Sequence, residues 1–464
     1  MVFSSIPFLF YFLPLCLLLY YVVPYRLKNA VLLLFSLLFY AWGEPVYILL
    51  LILETLFDYG NGLCMEKFGT TRGKRTFFLC CSLVVELSVL FFFKYVDFAV
   101  SSINQLFGTG FQSPGIALPL GISFFTFQTM SYVVDLYKGE VHAEHNYLNY
   151  LTYVSMFPQL VAGPIVRYST IMEELHHRTI RLTAVSHGTL RFMQGLFKKT
   201  LIANQIGLLW EEISHTTLMN LSMGSAWIGA LAVTLQIYFD FSGYSDMAIG
   251  MGEMLGFHFN ENFLHPLAAD SITDFWRKWH VSLSTWFRDY VYIPLGGNRA
   301  GKLKQIRNIM IVWMLTGLWH GAAWNFVCWG LYYGILLLLE KQLLKRLLDR
   351  FPAWAKHVYT LALVSLGFVI FSFDDFNRMK EYIKVLFAGS HRLIGTDILW
   401  YLQNYGSILV IALVLAFPVV PFLQKKCKGR VWSVLAGFAY VGLFLLSVAS
   451  MVNDSYNPFL YFRF

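Results

Sequence analysis

Two histidines stand among residue types that could assemble a transfer site inside an apolar chain. His320 lies in Thr316-Gly-Leu-Trp-His-Gly-Ala-Ala-Trp-Asn325, flanked by glycines and tryptophans. A neutral imidazole, with an ordinary pKa of about 6.5, is a natural general base there. The competing reading is a structural histidine bonded to a nearby carbonyl, and the glycine and tryptophan flanks favour function over it. Gly317, Gly321, Ala322 and Ala323 leave room for a close helix or a narrow ligand. His280 lies in Ser271-Ile-Thr-Asp-Phe-Trp-Arg-Lys-Trp-His280-Val-Ser-Leu-Ser-Thr-Trp-Phe-Arg-Asp289. A surface anchor helix would explain the tryptophans and basic residues of that stretch but has no need of His280.

The elements that must position these residues can be read in outline. Ser271 followed three residues later by Asp274 approximates a capping box, so a helix is expected to start there. Phe275, Trp279, Ser282 and Trp286 then fall on one helical stripe, with Arg277, Lys278 and Arg288 off it, as in an interfacial or re-entrant helix. His320 follows a basic loop ending at Arg307 by 13 residues, or about 20 Å of helix. The return run to Lys341 is of similar length, so the two read as a hairpin with its tip, His320 to Asn325, at membrane depth. Other motifs carry less. His265-Pro-Leu-Ala-Ala-Asp270 spells HxxxxD, but Pro266 is awkward beside the histidine. Gly296-Gly297 lacks the rest of a phosphate loop and reads as a turn. GxSxG and HExxH do not occur, and the six cysteines form neither CxxC nor a His/Cys ligand spacing, so no metal site is expected.

Composition sets the medium. Of 464 residues, 57% are hydrophobic, 18% aromatic and 13% charged, where soluble domains carry about 25% charged residues. This excludes a disordered chain, a disulfide scaffold and an ordinary soluble enzyme, and predicts a multi-pass membrane protein. The net charge of +8 collects in short clusters between apolar runs, the positive-inside pattern rather than a nucleic-acid surface. Candidate membrane segments are 3–23, 30–43, 45–58, 77–93, 116–134, 148–165, 186–209, 225–252, 308–319, 324–340, 357–373, 406–423 and 431–451, with 170–225 too mixed to assign. Met1 to Val23 reads as a retained span. The basic loops (Arg26/Lys28, Lys67 to Arg75, Arg299 to Arg307, Lys341 to Arg350, Lys425 to Arg430) are placed in the cytoplasm, which puts both termini outside and makes the number of crossings even. Glu54, Asp58, Glu86, Asp135, Asp240 and Asp246 fall within these runs, and such residues face a cavity or a partner. The whole chain, 1–464, is expected to be one integral-membrane domain. Its aromatic tail, 453–464, carries Asn457-Pro-Phe-Leu-Tyr461-Phe-Arg-Phe464 and is read either as an interfacial belt or as a segment that presents Tyr461 to the site.

Six blocks occur in one order: Pro119-Leu-Gly-Ile-Ser-Phe-Phe-Thr-Phe-Gln128, Phe157-Pro-Gln-Leu-Val-Ala-Gly-Pro164, Asp240-Phe-Ser-Gly-Tyr-Ser-Asp246, Phe275 to His280, Pro294-Leu-Gly-Gly-Asn298 and Gly317-Leu-Trp-His-Gly321. In this the chain resembles the bacterial membrane-bound O-acyltransferases (MBOAT) of the alginate O-acetylation type. The resemblance implies an all-α, polytopic fold, with helices around a pore-like centre and re-entrant segments. It also implies transfer of an acyl group from a cytoplasmic thioester toward an extracytoplasmic polysaccharide, in the bacterial cytoplasmic membrane. His320 falls on the family's invariant histidine and His280 on its second active-site histidine, while Tyr461 matches a tail motif that makes it a candidate acyl relay. His265 departs from relatives, which more often carry an aromatic residue there.

On that reading acetyl-CoA is the expected donor and no cofactor is permanently bound. Arg277, Lys278, Trp279, Arg288 and Asn325 are donor-binding candidates, together with the Arg299 to Arg307 loop. His320 is the expected base, and His280 polarises the carbonyl or holds the donor. The implied partner is an extracytoplasmic serine-nucleophile (SGNH-type) O-acetyltransferase that passes the group to sugar. The alternatives are D-alanyl transfer to teichoic acid, a lipid or protein acyltransferase, and a transporter without acyl chemistry.

Overall fold

The computed structural model describes residues 1–299, 301–388, 393, 395–427 and 429–453. The described residues are mainly helical, and six helices among them are long and apolar enough to cross a membrane. The helices in chain order are α1 (Phe8–Val22), α2 (Lys28–Gly43), α3 (Ile48–Phe68), α4 (Arg72–Phe107), α5 (Ile122–Lys138), α6 (Tyr147–Ser155), α7 (Tyr168–His176) and α8 (Leu182–Phe197). A π-helical turn, Lys198–Ala203, joins α8 to α9 (Asn204–His215). Then follow α10 (Met223–Leu255), α11 (Ile272–Lys278), α12 (Val281–Phe287), α13 (Lys302–His320), α14 (Trp324–Leu348), α15 (Ala353–Ser372), α16 (Phe376–Ala388), α17 (Thr396–Ala416), α18 (Val419–Lys426) and α19 (Arg430–Asn453). The chain divides into two compact units, one of Met1–Phe192 with Ser245–Glu261, the other of Met193–Tyr244 with Asn262–Phe464.

Several segments differ from the sequence expectation for local reasons. The run 116–134 becomes helical only at Ile122, because Gly121 takes a left-handed turn with φ +76°. A Cβ on Gly121 would stand 2.7 Å from the Leu160 carbonyl oxygen, so the close approach requires glycine. The run 406–423 is interrupted at Phe417, since Pro418 supplies no backbone N–H and disfavours helix in the residue before it. The unassigned stretch 170–225 holds α7, α8, the π-helical turn and α9.

In the first unit, Phe3, Phe8, Phe12, Phe39 and Phe157 form a ring cluster with neighbouring centroids 4.9–6.2 Å apart. Glu54, Asp58 and Glu86 are all buried in α3 and α4. Asp58 accepts a hydrogen bond from the Ser82 hydroxyl at 2.7 Å, and Asn61 donates to the same hydroxyl at 2.7 Å. Asp246 pairs with Arg191 at 2.9 Å, and Arg191 also reaches Glu261. Glu54, Asp58 and Glu86 thus lie together as one buried acidic cluster, whereas Asp246 has a cationic partner.

The second unit carries both histidines. Asp240 is buried and ion-paired with the equally buried Lys199 at 2.7 Å, and the Thr234 hydroxyl donates to Ser365 at 3.1 Å, tying α10 to α15. The α13–α14 hairpin crosses where Gly317 meets Gly330. A Cβ on Gly330 would collide with the Trp313 carbonyl oxygen, and one on Gly317 with that of Phe326.

Candidate active site

His320 is the last residue of α13, followed by the extended Gly321, and it is buried. Its ring packs against Trp319, Trp329 and Phe371 with centroids 5.0, 5.0 and 5.4 Å away. His280 is fully buried, its ring 4.7 Å from Phe241 and 6.4 Å from His320. The two histidines that the sequence singles out are therefore neighbours, 40 residues apart in the chain but in adjoining rings.

The single helical stripe expected from Ser271 to Trp286 is not formed. Ser271 does cap α11, its hydroxyl accepting from the Asp274 N–H at 3.1 Å. The helix stops at Lys278, Trp279 is extended, and His280 adopts φ +44°, ψ +55° before α12 begins. A residue with a Cβ seldom takes that left-handed conformation, and such strain collects at functional positions. The loop before α11 holds it in place: the Leu264 N–H donates to the Lys278 carbonyl at 2.9 Å and the Val281 N–H to the Asn262 carbonyl at 3.0 Å.

Two residues that sequence reasoning missed complete the support. Glu340, buried on α14, accepts from the Ile272 and Thr273 N–H groups at 2.7 and 2.9 Å and from the Thr273 hydroxyl at 2.8 Å, latching the start of α11. Asn262, also buried, accepts on Oδ1 from Ser282 N–H and hydroxyl at 3.2 and 2.9 Å and faces His280 Nδ1 at 3.1 Å. No periodicity marks Asn262. The one signal for Glu340 is a lone acidic residue closing an apolar run, where it merges with the edge of a basic loop.

The donor-binding candidates are held in different ways. Arg277 is exposed, Lys278 is engaged by Asp274 at 2.6 Å, and Arg288 by Asp289 at 2.6 Å. Trp279 is buried in a ring stack with Phe263, Phe275 and Phe368, centroids 5.0, 5.4 and 5.0 Å away. The Asn325 amide donates to the Phe371 carbonyl at 3.0 Å, tying α14 to α15. Tyr461 lies outside the described residues. Around the histidine pair, several buried polar atoms lack a hydrogen-bond partner among the described residues: His280 Nε2, Asn262 Nδ2, Asn325 Oδ1 and the indole N–H groups of Trp276 and Trp329. Groups of this kind are costly to bury unpaired and are satisfied in most proteins, so a cluster of them marks a place where another molecule makes the missing bonds. Burial lowers the His280 pKa to about 3, so its imidazole is neutral at physiological pH.

Comparison with known proteins gives the family. The profile described as MBOAT, membrane-bound O-acyltransferase family, matches residues 34–379. The chain is 42% identical over 435 residues to the probable alginate O-acetylase AlgI of Pseudomonas aeruginosa, covering 92% of this chain and 82% of that one. It is 39% identical over 488 residues to the protein of the same name in Pseudomonas putida, covering the whole of both. A third relative, the peptidoglycan O-acetyltransferase of Helicobacter pylori, is 34% identical over 419 residues, 83% of this chain and 79% of that one. The chain belongs to the membrane-bound O-acyltransferase family. It is a multi-pass membrane acyltransferase.

Proposed function

We propose that this acyltransferase takes an acetyl group from a thioester donor on the cytoplasmic side of a bacterial cytoplasmic membrane and passes it outward for O-acetylation of a polysaccharide. The observation that carries the reading is the buried pair of imidazoles in adjoining rings, 6.4 Å apart, among polar atoms awaiting partners. The relatives named for alginate and peptidoglycan O-acetylation support the acceptor class.

The step runs on His320. An acceptor hydroxyl gives its proton to the imidazole as its oxygen attacks the thioester carbonyl. The C–O bond forms, the C–S bond breaks, and the departing thiolate takes the proton from the imidazolium to leave as a free thiol. Of the two roles open to His280, polarising the carbonyl or holding the donor, its neutral buried ring favours holding the donor. Acetyl-CoA is the donor we favour, and Tyr461 the first hydroxyl to receive the group. A separate extracytoplasmic serine-nucleophile O-acetyltransferase then moves it to sugar.

The test follows thiol release from acetyl-CoA together with the intact protein mass, for wild type, His320→Ala and Tyr461→Phe. Thiol release should fall about 10²–10⁴-fold in His320→Ala, and an acetyl adduct on the wild-type protein should disappear in Tyr461→Phe. Undiminished release in His320→Ala would sink the mechanism; release without a tyrosine-dependent adduct would remove the relay alone.

A further inference from the structure

The proton map of His280 is set by Asn262, itself oriented by Ser282. A backbone N–H can only donate, so the 3.2 Å contact from Ser282 N–H fixes which end of the Asn262 amide faces this way: it is the oxygen. His280 Nδ1 lies 3.1 Å from that same oxygen, which can only accept. Ser282 Oγ also lies 3.4 Å from Nδ1, but its hydroxyl proton goes to Asn262 Oδ1 at 2.9 Å, so it too can only accept there. Nδ1 therefore carries the proton and Nε2 carries the lone pair. Nε2 is buried and has no hydrogen-bond partner among the described residues. The φ of +44° and the Asn262–Val281 and Leu264–Lys278 backbone bonds hold the ring in that orientation.

We propose that Asn262 is a positioning residue that locks His280 as a hydrogen-bond acceptor, and that Nε2 thereby receives an amide N–H of a pantetheine-type thioester arm. This rests on the acyl-transfer reading above. In that reaction the acceptor hydroxyl spends its one proton on His320. The thioester carbonyl oxygen and sulfur are themselves acceptors and cannot satisfy a lone pair. The donors that remain near the reacting carbon are the amide N–H groups of the arm, the nearest only two carbons from the sulfur. Burial suits this role, since a ring that resists protonation accepts a hydrogen bond without taking the proton. Were Nδ1 not held, the ring could carry its proton on Nε2 and would repel the amide instead.

The shared chemistry is the arm, carried by coenzyme A or by a carrier protein. Full-length protein is assayed with S-acetyl-N-acetylcysteamine, which keeps the nearest amide, and with the isostere in which an ester oxygen replaces the N–H. Wild type should prefer the amide by about 10–100-fold in kcat/KM, the cost of leaving a buried polar group unpaired. Asn262→Ala should reduce that preference to within about threefold by losing the advantage of the amide, whereas Asn262→Asp, whose carboxylate still accepts from Nδ1 and Ser282, should keep it. Melting curves establish that both variants fold. Acetyl-CoA and an acetylated carrier protein form separate arms, and the donor whose turnover depends on Asn262 is the natural source. Protein labelled with ¹⁵N-histidine reads the tautomer independently of turnover: Nδ1–H at His280 in wild type and Asn262→Asp, a mixture in Asn262→Ala. Indifference of wild type to the N–H→O change overturns the proposal, as does a preference that survives in Asn262→Ala or an Nε2–H signal in wild type. If no thioester is cleaved by any form, the acyl-transfer reading fails and takes the arm with it, while the spectra still decide the lock.

Discussion

At the scale of single residues, the left-handed His280 makes a separable prediction about stability. Glycine occupies φ near +44° without strain, while alanine pays the same backbone cost as histidine and loses the ring contacts. His280→Gly should therefore melt above His280→Ala, by about 1 kcal/mol, with activity lost in both. The same residue gives a pH dependence with a definite sign. Its folded pKa is lowered to about 3 by burial, so the unfolded chain takes up a proton below its ordinary value and the folded chain does not. Its contribution is intact above pH of about 6.5 and declines as pH falls below that, by at most about 1.4 kcal/mol per unit. Thermal unfolding followed from pH 7 downward should show this slope in wild type and a shallower one in His280→Gly. Both histidines could be picked out in the sequence, His320 by its glycine and tryptophan flanks and His280 because an anchor helix has no need of it. Asn262 was not, because its work depends on a contact 18 residues away in sequence across a loop, and nothing in its neighbours announces the pairing.

At the scale of elements, the seven residues of α11 are too few to stand alone, and an isolated helix of that length is not stable in water. Glu340 supplies what the helix lacks, two of the N–H partners that every helix start leaves open. Glu340→Ala should destabilise the fold by about 2–4 kcal/mol, since hydrogen bonds to a carboxylate are worth more than neutral ones. It should also cut turnover by releasing the segment that aims His280. Differential scanning of the purified variant beside a turnover assay checks both, and an unchanged melting temperature would show that α11 holds without its latch. Helix existence was readable here from apolar runs and from one cap at Ser271. The ends were less so. Pro418 marks a break that composition alone ran through, and the stripe from Phe275 to Trp286 kept helical spacing although the helix breaks at Trp279 and His280, because side-chain spacing does not register a change of backbone conformation.

At the scale of the whole molecule, six apolar helices among the described residues mark a chain that lives in lipid, and the histidine pair belongs entirely to the second unit. Within that unit the two imidazoles are gauged from one element. His320 ends the helix that packs against α14 through Gly317 and Gly330, and Glu340, farther along α14, pins the segment that delivers His280. A hydrophobic span meets a thicker or thinner bilayer by tilting, at a fraction of a kcal/mol per ångström. When α14 tilts, both histidines ride with it, as two marks ruled on the same stick keep their spacing however the stick is held. The spacing of the pair should then be indifferent to the host membrane. Turnover in vesicles of short-chain and long-chain phosphatidylcholine should agree to within about threefold, and a steep optimum at one thickness would contradict this. A cell could then change the thickness of its membrane, through temperature or diet, without having to retune this enzyme.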